Sequence, residues 1–236
     1  MADTFKSHGH DIPVEIFPGA GTGPRPAVVV VYGTRGMNAP FGDSIRGFAK
    51  KLAASGCTAL IPDYFKGTGT PASAGGAGDA VVMAAVQPSR DKWVATIGDC
   101  LAYAAARSDV RADRLGLLGF SLGGHVTLRA AKRPSANAVK AAVSFFAPID
   151  MLGGIGGDID KLPPLQIHHG DDDGPPRGVV PPEESKALET LLVTARKVKG
   201  RDYEIHFYPG QGHGFTGTAA LDSEKRTVDF FGAKLG

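Results

Sequence analysis

Apolar positions in this chain gather into short dense runs separated by longer segments in which apolar and polar residues share the helix period. Runs near 12–17, 26–32, 58–62, 114–119, 139–146, 163–168 and 203–208 predict strands. Segments 41–55, 90–107, 122–132, 182–199 and 219–234 predict helices. Strand and helix alternate, which predicts a largely parallel sheet covered on both faces. The run at 26–32 is continuous, as suits a strand buried on both sides, whereas 203–208 alternates and suits a half-buried one. Two stretches resist the scheme: 67–87, rich in Gly and Ala, and 174–182, rich in Pro. Loops of such length are uncommon without a role, so each is read either as a border of a ligand cleft or as a plain surface insertion.

Against this pattern one pentapeptide stands out by its position. Gly119-Phe120-Ser121-Leu122-Gly123 lies between the apolar run ending at Leu118 and the helix predicted from residue 122. In a chain with 33 glycines among 236 residues the bare Gly-x-Ser-x-Gly pattern is weak, and its placement gives it weight. A serine on a sharp turn from strand to helix is presented at the sheet edge, and the amide of the next residue, Leu122, points at any oxyanion forming beside its oxygen.

A serine hydroxyl is a poor nucleophile near neutral pH, so it needs a base within hydrogen-bond reach and an acid to orient that base. After such a turn the chain order is Ser, then Asp or Glu, then His, each beyond a strand C-terminus. The strand near 163–168 runs into His169-Gly170-Asp171-Asp172-Asp173, and the strand near 203–208 runs into Pro209-Gly210-Gln211-Gly212-His213-Gly214. His213 is therefore the candidate base, and the three adjacent acids are candidates for its partner. The other histidines have plainer assignments. His8 and His10 lie in a polar stretch and are read as solvated, His206 lies within a strand, and His125 opens a helix as a packing residue. His168 and His169 close a strand and are read mainly as satisfying local backbone groups, with His169 close enough in sequence to touch the site through its loop.

Length and composition suit a single domain spanning residues 1–236, with 42% hydrophobic residues available for a core. A net charge of +2 with scattered Lys and Arg gives no basic stripe for nucleic acid. No apolar run is long enough to span a bilayer and residues 1–11 lack the apolar core of a signal peptide, so neither nucleic acid nor membrane is expected as a partner and a cytoplasmic location is expected. Cys57 and Cys100, without further Cys or His at ligand spacing, are read first as buried free thiols and otherwise as a disulfide, and no zinc site is expected. Neither a dinucleotide fingerprint nor a Gly-Lys-Ser/Thr loop occurs, and no cofactor is expected.

Several blocks beyond the pentapeptide resemble the dienelactone hydrolase family of the α/β-hydrolase superfamily. Val28 to Tyr32 followed by Gly33-Thr34-Arg35-Gly36-Met37-Asn38 is similar to its first core strand and oxyanion loop. Ala59-Leu60-Ile61-Pro62-Asp63-Tyr64-Phe65 is similar to its next strand, and Tyr208 to Phe215 to its histidine loop. The resemblance spans roughly residues 12 to 232 and implies an α/β-hydrolase fold. It selects Asp173 as the acid, which follows His169-Gly170 after two intervening residues, with Asp172 in reserve, and it places Thr34 beside Leu122 as an oxyanion donor. On the same loop Tyr32, Gly33 and Arg35 become candidate substrate-binding residues, with Arg35 read either as a partner for an acidic group or, more readily, as an exposed or structural arginine. Dienelactone hydrolases proper carry a cysteine nucleophile and a glutamate directly after the position of Tyr32, where this chain has Ser121 and Gly33. The expectation is a serine hydrolase of small carboxylic esters or lactones acting through an acyl-enzyme. A dienelactone hydrolase proper, an acyltransferase and a non-catalytic ligand-binding relative are the alternatives.

Overall fold

The computed structural model describes residues 3–133, 138–176 and 178–236. In chain order the elements are β1 (Asp3–Ser7), β2 (His10–Phe17), β3 (Arg25–Val31), α1 (Phe41–Ala54), β4 (Thr58–Pro62), α2 (Ala77–Ala105), β5 (Val110–Phe120), α3 (Leu122–Ala131), β6 (Val139–Phe145), β7 (Leu165–Gly170), α4 (Glu183–Thr194), β8 (Tyr203–Tyr208) and α5 (Gly217–Leu235). The strands form one sheet in the order β1-β2-β4-β3-β5-β6-β7-β8. The pairs β1–β2 and β2–β4 are antiparallel and every other pair is parallel.

Burial follows the hydrophobic pattern. In β3, Ala27 through Val31 are all buried, as are Leu115, Leu117 and Leu118 of β5, because helices cover both faces of these central strands. Helix α1 buries Ile45, Phe48, Ala49 and Leu52, a single stripe at the spacing of one helix face. Helix α3 is buried at nearly every position from Leu122 to Ala131 and forms the middle of its layer. Among the described residues no helix is long and apolar enough to cross a membrane.

Three expectations about elements need correction. The stretch 67–87 is not without structure: its second half opens α2, which starts at Ala77 and passes through Pro88. Pro88 is a natural start signal, because its missing N–H costs nothing in a first turn and a hydrogen bond in an interior, and this places the expected start near residue 90. The alanine-rich residues before it are good helix formers, and Val82 and Val86, one turn apart and both buried, anchor them to the core. The polar N-terminal stretch forms β1, held at the sheet edge by antiparallel pairing with β2, while His8 and His10 are exposed as expected. Helix α4 ends at Thr194, short of 199, where Arg196 takes a left-handed backbone (φ 61°) and the Val198 amide is bonded to the Asp202 side chain.

The connectivity fixes where a site can form. From β3 the chain crosses to β4 on one side, then returns through α2 to β5 on the other side of β3. The order reverses between β3 and β5, so their outgoing loops diverge at the C-terminal edge and leave a crevice there. The loop after β3 begins at Tyr32, and β5 ends at Phe120 with Ser121 next.

Candidate active site

Ser121 sits on the sharp turn between β5 and α3 with φ 54° and ψ −123°, a backbone region L-residues seldom occupy. The turn is held by Ser121 N–H donating to the Phe145 carbonyl of β6 at 2.9 Å. It also needs its small neighbours. A side-chain carbon on Gly123 would collide with the carbonyls of Val31 and Tyr32, and one on Gly119 with the Gly123 carbonyl and the Thr127 hydroxyl. The spacing of the pentapeptide thus records how closely α3 approaches β3.

Three loops converge on this serine. His213 Nε2 lies 2.9 Å from Ser121 Oγ, and His213 Nδ1 lies 2.7 Å from Asp173 Oδ2. A carboxylate only accepts, so Nδ1 carries a hydrogen and the lone pair of Nε2 faces the serine hydroxyl. The other carboxylate oxygen of Asp173 accepts amides from Gly174 at 2.8 Å, Val179 at 2.8 Å and Val180 at 3.2 Å. Burial alone would raise this carboxyl, but the nearby His169, the hydrogen bond and charge of His213 and the Val179 amide outweigh it. Asp173 is held well below the usual carboxylate range and stays ionised. Of the three adjacent acids, Asp171 is exposed and Asp172 half-buried, while Asp173 alone turns fully inward to the histidine.

Of the expected oxyanion donors, Leu122 contributes the first amide of α3, and Thr34 lies on the loop after β3, its carbonyl accepting the Ser73 amide at 2.9 Å. Neither the Leu122 nor the Thr34 N–H has an acceptor among the described residues. Gly33 faces the serine, since a side-chain carbon built on it would stand 3.1 Å from Ser121 Cβ and 3.7 Å from Oγ. Tyr32 and Arg35 point their side chains elsewhere. The Tyr32 hydroxyl donates to Asp63 at 2.7 Å and receives the Phe65 amide at 3.3 Å. Burial, and then the neighbouring Tyr64 and Asp63, raise its pKa well above that of a free phenol. Arg35 pairs with Asp79, which also takes the Ser73 hydroxyl at 2.6 Å, and its guanidinium lies over the Phe41 ring at 5.7 Å. A cavity of about 490 Å³ beside this loop is lined by Tyr32, Gly36 and Met37 with Asp63, Phe65 and Lys66; Ser121 and His213 are not part of its wall.

Of two further neighbours of the site, Phe146 escapes the sequence and His169 is read from it only as able to touch the site through its loop. Phe146, just past β6, has φ 38° and packs its ring 4.5 Å from that of His213. His169 stands 3.5 Å from Asp173 Oδ2, with a hydrogen bond to the Val180 carbonyl at 2.9 Å and another to the Ser185 hydroxyl at 2.6 Å. A left-handed phenylalanine leaves no signal in a sequence, whereas the His-Gly pair marked the neighbourhood of His169 without its contacts.

The dienelactone hydrolase family matches this sequence over residues 13–232. The chain belongs to the dienelactone hydrolase family. Membership makes it a carboxylic ester hydrolase with an α/β-hydrolase fold. Among curated relatives, a Bradyrhizobium protein named "Probable 2-oxo-3-(5-oxofuran-2-ylidene)propanoate lactonase" is 29% identical over 206 residues, 82% of this chain and 75% of that one. Among solved structures, a dienelactone hydrolase-like promiscuous phosphotriesterase from metagenomic libraries superposes with a TM-score of 0.81 at 20% identity, covering 100% of this chain and 98% of that one. The dienelactone hydrolase of Anabaena variabilis superposes with a TM-score of 0.72 at 14% identity, covering 100% and 98%. These two likenesses are of fold.

Proposed function

We propose that this member of the family is a serine hydrolase of small carboxylic esters or lactones, with Ser121 as nucleophile, His213 as base and Asp173 as the orienting acid. The observation that carries the proposal is the unbroken contact from Ser121 Oγ to His213 at 2.9 Å and from His213 to Asp173 at 2.7 Å, built on a serine with a left-handed backbone. Ser121 Oγ attacks the ester carbonyl as His213 Nε2 takes its proton, and the imidazolium is stabilised by the Asp173 carboxylate. The amides of Leu122 and Thr34 receive the oxyanion; in related sites one such donor is worth roughly 3 kcal/mol. The tetrahedral intermediate collapses when His213 returns the proton to the leaving alkoxide. A water then repeats the attack on the acyl-enzyme with His213 again as base. From a lactone the leaving oxygen stays tethered to the acyl group, so the released product is a hydroxy acid.

Serine in place of the family's cysteine changes how the nucleophile is made ready. A hydroxyl is not stored as an anion in the way a thiolate is, so it must lose its proton during attack. Gly33, where the family's glutamate would stand, leaves the approach to Ser121 Oγ without a carboxylate, which agrees with a nucleophile activated by His213 alone. A lactone substrate is favoured by the name of the Bradyrhizobium relative.

The test is a panel of short-chain aryl esters and cyclic lactones, run with the native protein and Ser121→Ala, together with labelling by an organophosphate or sulfonyl fluoride read by intact mass. The expected result is turnover and a gain of one adduct in the native protein, both absent from Ser121→Ala. Equal labelling of the variant, or no turnover and no label in the native protein, would overturn the assignment and favour a ligand-binding role.

A further inference from the structure

His169 is fully buried at the end of β7, yet both ring nitrogens have partners, and each partner bears on the acid loop. Its Nε2 lies 2.9 Å from the Val180 carbonyl. A carbonyl only accepts, so Nε2 carries a hydrogen, which leaves Nδ1 of the uncharged ring to accept the Ser185 hydroxyl of α4 at 2.6 Å. The same Nε2 stands 3.5 Å from Asp173 Oδ2, the oxygen that His213 uses. Val180 is held from its other side as well, because its amide and that of Val179 donate to Asp173 Oδ1. Gly174, Val179 and Val180 are thereby gathered around the carboxylate, with His169 as the clasp on Val180.

We propose that His169 is a positioning residue for hydrolysis: it clasps the Val180 carbonyl and flanks Asp173 Oδ2, so that the carboxylate is fixed in the one orientation that serves His213. This rests on the triad reading above. Three amides on Oδ1 and one imidazole on Oδ2 set the rotation of the carboxylate, and two of those amides, Val179 and Val180, stay in place only while their own segment is held. The clasp makes the amide set rigid and leaves Oδ2 to the histidine. His169 touches no reacting atom and acts only through Asp173. Its proximity to Oδ2 is also among the influences that keep this acid ionised. Ser185, on α4, donates to the remaining ring nitrogen, which ties the histidine to that helix.

The test is a double-mutant cycle on the ester or lactone that the native enzyme turns over best. His169→Phe keeps a ring of similar size and removes the donor, whereas His169→Gln keeps an N–H that can reach Val180. Expected for His169→Phe is a kcat lower by about 10- to 100-fold with KM within about threefold, and for His169→Gln a loss of less than about fivefold. In the Asp173→Asn background His169→Phe should cost less than about twofold more, because a residue acting through Asp173 has nothing left to position. A purely structural role predicts the reverse, with equal losses from Phe and Gln and additive effects in the cycle. If His169→Phe does not fold, Ser185→Ala supplies the second arm, with an expected loss of about 3- to 10-fold in kcat that vanishes in the Asp173→Asn background. Native rates in both His169→Phe and Ser185→Ala, or additivity with Asp173→Asn, would overturn the proposal. Native turnover that Ser121→Ala abolishes would leave the triad standing in that event, so the two failures can be told apart.

Discussion

Asp173 divides its carboxylate between two tasks, one oxygen gathering amides of its own loop and the other holding His213. Replacing it by asparagine keeps the shape but offers an N–H₂ where the histidine expects an acceptor. His213 Nδ1 then has to accept, its hydrogen moves to Nε2, and the ring no longer has a lone pair for the serine proton. Asp173→Asn should therefore lower kcat by about 10³- to 10⁴-fold. Asp171→Asn, at an exposed position, should stay within about twofold of native, since a solvated acid contributes little. Steady-state kinetics on the same ester decide this, and a crippled Asp172→Asn beside an active Asp173→Asn would move the acid by one residue. A second expectation concerns packing. Gly123→Ala drives a methyl group into the Val31 and Tyr32 carbonyls, so denaturant unfolding should show a loss of about 1–3 kcal/mol, the usual cost of overpacking.

At the scale of elements, α3 and β7 each bury a histidine that must stay uncharged. His125 donates from Nδ1 to the Pro148 carbonyl at 2.8 Å, and no partner among the described residues meets its Nε2. Burial, and then the charges of Arg129, Arg90 and Lys132, push it from 6.5 down to about 4, against the pull of the Pro148 bond. His168, bonded to Gln166 and Tyr208 and stacked on Phe145, is lowered well below the ordinary value by burial first and by His206 and Arg226 after it. For both groups the folded value is the lower one. Their stabilisation is complete above the ordinary histidine range and drains as pH falls through 6.5, where the unfolded chain takes up protons that the fold refuses. For His125 the window closes near its folded value of about 4, with about 3 kcal/mol lost across it. Asp173, lowered in the fold, begins to cost stability only once pH enters the ordinary carboxylate range and below. Unfolding free energies should accordingly fall from pH 7 to 5 with a slope that steepens to about two protons near pH 5, reduced there by about one in His125→Asn, which keeps a donor for Pro148 but does not titrate. An unchanged slope in that variant would contradict the burial argument.

The same elements show what a sequence reveals. Apolar runs were enough for the strands from β2 to β8, because burial on one or both faces sets their period. The first half of α2 was hidden, since Pro88 resembles a helix start and the core contacts of Val82 and Val86 are tertiary. The chain order Ser, acid, His located the three side chains that converge, and the His-Gly pair selected Asp173 among its neighbours. What could not be read was direction. Tyr32 and Arg35 turn to Asp63 and Asp79, His169 turns to Val180, and Phe146 takes a backbone that no residue type announces.

On the scale of the whole molecule, the candidate site belongs to the place where the sheet reverses direction, and its parts come from loops after β3, β5, β7 and β8 that only the complete fold brings together. Both cysteines lie away from those loops, Cys57 just before β4 and Cys100 within α2, and both are buried free thiols. Burial raises the thiol of Cys57, and burial together with the nearby Asp99 raises that of Cys100, so neither supplies a thiolate in the fold. A family whose name-giving enzymes attack with sulfur would lose activity to thiol reagents, whereas this chain should not. Iodoacetamide at neutral pH is expected to leave ester turnover nearly unchanged and the intact mass unaltered, while a serine-directed organophosphate abolishes turnover. Because alkylation requires the core to open, the slow modification that does occur should report unfolding: its rate should rise with denaturant in step with the loss of native circular dichroism. Prompt inactivation of the folded protein by iodoacetamide, with one alkyl group gained, would place a thiol in the chemistry and remove Ser121 from its proposed role.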